Sequence, residues 1–271
     1  MAPRRLLLTG GSGLLGRAVQ RAATIAGWDV HAPTHGALDV RDRAAVDDAV
    51  RALRPAAVIH TAYIRDGAEA WATIVDGSIA VAAAAHAVGA RLVQVSSDAL
   101  FAGREAAYTE RDAPDPVHDY GRAKAAAEVG VAAIAPHAVL VRTSLLYGGA
   151  DSPPVRMVLD AAQAADGAAP ARFFVDEVRS FAHVDDVAAA LVTLAAVDVA
   201  GPLHVAGPDA LSRYEFACLV CAAYGLPAGA LLAGSLAEVP ARRPGRVVLD
   251  STLAAAHIAL PGAVPERLTA T

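Results

Sequence analysis

A doubly wound α/β fold, a parallel sheet with helices on both faces and a small discontinuous C-terminal lobe, is what this 271-residue sequence predicts. Three observations lead there. Short apolar runs alternate with Ala-rich helical stretches, the pattern of βαβ units. A glycine cluster at 10–16 directly follows the first apolar run and opens a helix. Past Tyr147 the alternation breaks at Asp151-Ser152-Pro153-Pro154, and shorter elements with more loop follow.

Residues 5–9 read as the first strand, running through the glycine turn into a helix that reaches about 26. Residues 29–32 form a second strand, and Val40 ends a third. A helix over 43–53 stops before Pro55, which cannot continue it. Residues 57–61 make a fourth strand, followed by a long Ala-rich helix to about Val88. A fifth strand at 91–96, a helix over 120–133 and a sixth strand at 138–142 complete the run. In sheets of this order ligands sit at the carboxyl ends of the strands. A helix over 184–197 returns to the main domain. The main domain is therefore expected at 1–148 plus 184–200, and the lobe at 149–183 plus 201–271.

The net charge of −5 offers no basic face for nucleic acid. The apolar run at 6–8 is too short for a signal peptide, and no run approaches a membrane span. A cytoplasmic protein without nucleic-acid or membrane partners is expected. Its Ala-rich helices leave monomer and homodimer both open. Cys218 and Cys221 form a C-x-x-C, but no second Cys/His pair completes a zinc site and the flanks read as an apolar helix face. Core packing is expected for both, and no metal site.

The run Thr9-Gly10-Gly11-Ser12-Gly13-Leu14-Leu15-Gly16 places Gly10, Gly13 and Gly16 in a G-x-x-G-x-x-G spacing. Glycines there let the backbone turn sharply and approach a pyrophosphate, whose charge lies at the helix N-terminus. A dinucleotide is expected. NAD readers carry an acid at the end of the second strand for the ribose 2′-hydroxyl, yet Val30-His31-Ala32-Pro33-Thr34-His35 has none. Arg17 follows the third glycine, with His31, His35 and Arg41 within reach. NADP(H) is favoured, and NAD(H) stays open. Pro33 rules out a helical metal pair of His31 and His35.

Tyr120-Gly121-Arg122-Ala123-Lys124 is a Y-x-x-x-K at a helix start. Residues four apart share a helix face, so the ammonium can sit beneath the phenol and lower its pKa. Tyr120 is then a usable general acid/base. Ser96-Ser97-Asp98 ends the preceding strand, and a serine hydroxyl there can orient a carbonyl.

On these residues the chain resembles the extended short-chain dehydrogenase/reductases with a Rossmann fold, and within them the dTDP-4-dehydrorhamnose reductase-like group. The resemblance runs through 9–16, Leu38-Asp39-Val40-Arg41-Asp42, 96–103, Tyr108-Thr109-Glu110-Arg111-Asp112, 120–128, 142–148, 179–187 and Arg243-Pro244-Gly245. It implies an NAD(P)H-dependent reductase of a 4-ketosugar carried on a nucleotide. Ser97 and Tyr120 would polarise and protonate the ketone, while Lys124 would hold the nicotinamide ribose and tune Tyr120. The cofactor would meet Gly10, Gly13, Leu14, Leu15, Gly16, Arg17, Ser96 and Thr143, with Asp39 and Val40 at the adenine and Ala62 and Tyr63 at its border. Asp98, Leu145, Arg179, His183 and Arg243 would face the substrate, although Arg179 serves equally well in a structural salt bridge.

The sequence departs from that group at Ala99, where a tyrosine is usual, and at Leu145, where a tryptophan is. Asp76 stands where an asparagine helps position water and the lysine, and Ala102 replaces a frequent Asp. Arg179-Ser180-Phe181-Ala182-His183-Val184 and Gly13-Leu14-Leu15-Gly16-Arg17-Ala18-Val19 resemble the branch of the methionine adenosyltransferase β subunit. That branch implies an alternative, a catalytically silent NADP-binding regulatory subunit. Ser97-Asp98-Ala99 lacks the second carboxylate of the dehydratases, whereas a sugar-nucleotide epimerase remains open.

Overall fold

The computed structural model describes residues 4–163, 171–240 and 242–268; parts of the expected lobe, 164–170, 241 and 269–271, lie outside the described residues. The first half comprises β1 (Arg5–Thr9), α1 (Leu14–Ile25), β2 (Asp29–His31), α2 (Arg43–Leu53), β3 (Ala57–His60), a π-helical turn (Ala72–Asp76), α3 (Gly77–Ala87), β4 (Arg91–Ser97), α4 (Asp119–Ile134) and β5 (Val139–Thr143). Next come β6 (Leu146–Tyr147), α5 (Pro153–Ala162), β7 (Arg172–Phe174), β8 (Val178–Ser180), β9 (Ala182–His183) and α6 (Val184–Leu194). β10 (Gly201–His204), β11 (Ala210–Ser212), α7 (Arg213–Ala223), β12 (Leu232–Gly234), β13 (Arg246–Val247) and α8 (Val264–Arg267) close the chain.

Six strands form the central sheet in the order β10-β5-β4-β3-β1-β2. Every pairing in it is parallel. Side-chain alternation sends Leu6, Leu8, Ile59, Val93 and Val141 to one face, against Val19 of α1 and Val187 and Leu191 of α6. Leu7, Val58, Leu92 and Leu140 go to the other, against Val46 and Val50 of α2, Val81 and Ala85 of α3, and Val131 of α4. Each such Leu or Ile taken from water contributes about 1.5–3 kcal/mol. Both faces are covered, which is why these strands read as continuous apolar runs. A separate core joins Tyr147, Val155, Val158, Phe173, Phe181, Phe216, Val220 and Cys221, with Cys218 partly buried against it.

The structure corrects the sequence expectations at three places. No strand ends at Val40: Asp39 Oδ1 accepts the backbone N–H of Arg41 at 3.0 Å and Leu38 N–H bonds to Thr34 O. This is an Asx-type turn. Leu38 and Val40 are buried two residues apart, mimicking strand alternation, but they plug the core over α2 and α3. Gly201–His204, expected in the lobe, is instead β10, the edge strand of the central sheet. Gly201-Pro202 looks like loop punctuation, yet proline is tolerated on a sheet edge. Ala254 and Ile258, also expected in the lobe, pack into the core against α1 and α6.

Candidate active site

A cleft of about 840 Å³ opens at the carboxyl ends of the central strands. Its floor begins at the glycine turn, where Gly13 N–H bonds back to Gly10 O at 3.1 Å. A Cβ on Gly16 would overlap the Gly10 carbonyl, so α1 reaches this close to the turn only with glycine there. Gly10, Gly13, Leu14, Leu15 and Gly16 all line the cleft.

Beside the turn, β4 ends in Ser96 and Ser97, and the chain tightens into a 3-10 turn at Asp98–Leu100. Ser97 Oγ accepts the N–H of Ala99 at 3.2 Å. α4 starts hard against this turn, because a Cβ on Gly121 would collide with the Ala99 carbonyl. That contact places Tyr120 on the same cleft wall as Ser97. One turn on, Lys124 is buried, and its Nζ donates to Val95 O at 3.1 Å. The ammonium lies 5.4 Å from the Tyr63 ring centroid and 5.9 Å from that of Tyr120.

The electrostatics differ from the sequence expectation. Burial pushes the Tyr120 phenol well above its ordinary value, the neighbouring Tyr63 adds to this, and the polar Ser97 side chain opposes it. The Lys124 ammonium, 5.9 Å from the ring centroid and turned to the Val95 carbonyl, does not outweigh burial. Burial takes Lys124 itself down to about 8, with Glu128 working the other way. The phenol is therefore protonated at neutral pH and stands ready as a proton donor.

The far wall carries a buried charge cluster. Glu177 is 3.0 Å from Arg213, 3.3 Å from Arg243 and 3.6 Å from Arg179. Arg179 also lies 3.6 Å from Asp98, whose carboxylate accepts from the Ser144 hydroxyl at 2.6 Å and the Ser97 hydroxyl at 3.3 Å. Its guanidinium donates to the carbonyls of Val178, Pro244 and Gly245.

Of the residues expected at a site, Tyr63, Ser96, Ser97, Asp98, Tyr120, Lys124, Thr143, Leu145, Arg179 and Arg243 all line this cleft, as does the unusual Ala99. Others do not. Asp39 is bound through both oxygens by Arg41, which also meets Glu69 at 2.6 Å. Val40 is buried in the core. Ala62 lies beneath Gly10 rather than on the wall. Arg17 is exposed beside the turn, donating to Ser12 O. His183 caps α6 and stands edge-on to Tyr147. Asp76 points to solvent at the end of the π-helical turn, and it is the buried Ile74 of that turn that reaches the cleft.

Sequence reasoning missed Glu177, Arg213, His118 and Ile74. The Glu177 contacts span distant segments and leave no local pattern. His118 is the N-cap of α4, which starts at Asp119, one residue before the start expected from sequence. Among the described residues no group of three or more His, Cys, Asp or Glu side chains is arranged to hold a metal ion. No described helix is long and apolar enough to cross a membrane.

Comparison with known proteins gives this geometry a family. The RmlD substrate binding domain matches residues 4–264. The chain is 33% identical to a dTDP-4-dehydrorhamnose reductase of Mycobacterium tuberculosis, covering 97% of this chain and 89% of that protein. It is 30% identical to the methionine adenosyltransferase 2 subunit beta of Rattus norvegicus, over 91% of this chain and 80% of that protein. The dTDP-4-dehydrorhamnose reductase of Bacillus anthracis, solved in complex with NADP, superposes with a TM-score of 0.90 at 26% identity, covering 98% of this chain and 97% of that one. That of Clostridium acetobutylicum gives 0.89 at 26% identity, covering 97% and 96%. The family match over nearly the whole chain and the 33% identity settle the family: the chain belongs to the RmlD substrate binding domain family.

Proposed function

We propose that the protein is an NADP(H)-dependent reductase of a 4-ketosugar carried on a nucleotide. The observation that carries this reading is the meeting of Ser97, Tyr120 and Lys124 on one cleft whose floor is the glycine turn. The turn fits a dinucleotide, since the missing Cβ of Gly16 lets α1 pack onto the Gly10 carbonyl and the turn lines the cleft at the N-terminus of that helix. When bound, the cofactor supplies a hydride to the carbonyl carbon. Ser97 Oγ donates to the carbonyl oxygen and orients it. The Tyr120 phenol, kept protonated by burial, passes its proton to that oxygen as negative charge develops there. The phenolate left behind is stabilised by the Lys124 ammonium on the same helix face. Hydride and proton together turn the ketone into an alcohol.

The cofactor preference follows from charge. Asp39 is tied to Arg41 and is not free to hold a ribose 2′-hydroxyl, while Arg41 has two carboxylates already. Arg17 is the cation left beside the turn for a 2′-phosphate. The NADP in the Bacillus anthracis enzyme supports the same choice. On the far wall, Arg213 and Arg243 present guanidinium groups to a substrate diphosphate, with Arg179 anchored behind them.

The test is NADPH oxidation with nucleotide-linked 4-ketosugars. Turnover that falls by about 10²–10⁴ in Tyr120→Phe, with NADPH affinity intact, supports the reading. A second reading, a non-catalytic subunit, is favoured by the 30% identity to the methionine adenosyltransferase β subunit. NADPH binding without turnover on any ketosugar would select it.

A further inference from the structure

His118 does more than its cap requires. It precedes α4 in extended backbone, and its Nδ1 accepts the N–H of Gly121 at 3.0 Å. Asn, Asp, Ser and Thr fill this position with smaller side chains and are the preferred caps. The ring therefore brings a nitrogen the cap does not use. Its state is fixed by the cap itself. A nitrogen that accepts a hydrogen bond carries no proton, so the neutral ring holds its proton on Nε2, which is then a donor. Burial lowers the pKa of the ring, and Arg65, Arg179 and Arg122 lower it further, so it is neutral at pH 7. Among the described residues no protein acceptor engages Nε2.

The ring also lies in the right place. His118 lines the cleft, and its centroid is 6.3 Å from that of Tyr120 at an interplanar angle of 31°. A substrate whose carbonyl meets Tyr120 would run its neighbouring atoms along a cleft that His118 also lines.

We infer that His118 is a substrate-recognising residue, its Nε2–H donating to a sugar hydroxyl or ring oxygen on a carbon beside the reacting carbonyl. This rests on the reductase reading above. It also fits a wall on which Ala99 and Leu145 offer no hydrogen-bonding side chain.

The experiment separates cap from donor. His118→Asn and His118→Ser both keep an oxygen that can accept the Gly121 N–H, and both lose the Nε2 donor. His118→Ala loses both functions. For the Asn and Ser variants we expect Tm within about 3 °C of wild type and unchanged NADPH affinity. Their kcat/KM for the ketosugar should fall about five- to tenfold. The Ala variant should show the same kinetic loss together with a lower Tm. Wild-type kcat/KM in His118→Asn and His118→Ser overturns the inference. So does a parallel loss of NADPH affinity, or failure of both cap-competent variants to fold. Absence of ketosugar turnover in the wild type instead refutes the reductase reading, and this inference falls with it.

Discussion

Glu177→Gln removes one negative charge from a buried site and keeps the shape. Glu177 and Asp98 together face three guanidinium groups, Arg179, Arg213 and Arg243. With Gln at 177, Asp98 alone remains to balance them. Breaking a buried pair by removing one partner costs about 3–5 kcal/mol, because the charge left behind stays desolvated. Arg243 is 40% exposed and relaxes into water at little cost, so Arg179 and Arg213 carry most of the effect. For a chain of this size each kcal/mol shifts Tm by about 2–4 °C, which places the variant roughly 10 °C below wild type. The pH dependence has a definite sign. Burial alone would raise the Glu177 pKa, but Arg213, Arg179 and Arg243 outweigh it and hold the carboxyl below its ordinary 4.5. The stability it supplies is therefore complete above pH 4.5 and is lost as pH falls through the lower folded value. Thermal unfolding of both proteins at pH 7 and below pH 4.5 measures this. A Tm within about 2 °C of wild type at pH 7, or a gap that widens in acid, would refute the account.

Gly16→Ala should weaken NADPH binding about ten- to hundredfold, since the added methyl overlaps the Gly10 carbonyl and opens the turn; a fluorescence titration of NADPH decides it. His60 is fully buried against Thr9 Oγ1 at 2.6 Å, and burial, with Lys124 adding, takes its pKa from 6.5 to about 3. Because the unfolded chain binds the proton first, the fold should lose about 2 kcal/mol from this group between pH 7 and 5. His60→Asn removes that slope, and parallel slopes for the two proteins would contradict it.

Much of the fold is legible in the sequence because both faces of the sheet are buried, which writes the strands as plain apolar runs between Ala-rich helices. The glycine turn and the Tyr120–Lys124 pair are legible for a similar reason: each depends on spacing within a single element. What escaped reading depends on geometry between segments. Glu177 meets arginines from three stretches of chain, and β10 declares itself only through its register with β5. Leu38 and Val40 show the opposite failure, a strand-like alternation produced by a turn. Asp76 had its role only through the resemblance; in the structure it is exposed, and Ile74 of the same π-turn lines the cleft.

The position of β10 also governs the order in which the protein can be completed during synthesis. β5 is buried along its whole length, yet its outer edge has no hydrogen-bonding partner until residues 201–204 have left the ribosome. Every lobe segment between the two strands emerges first. During that interval the nascent chain displays an open, apolar strand edge, the kind of surface on which chains join one another. A ribosome that stalls, or a message truncated, anywhere between β5 and β10 therefore releases a polypeptide that holds all its cofactor-binding glycines and still aggregates.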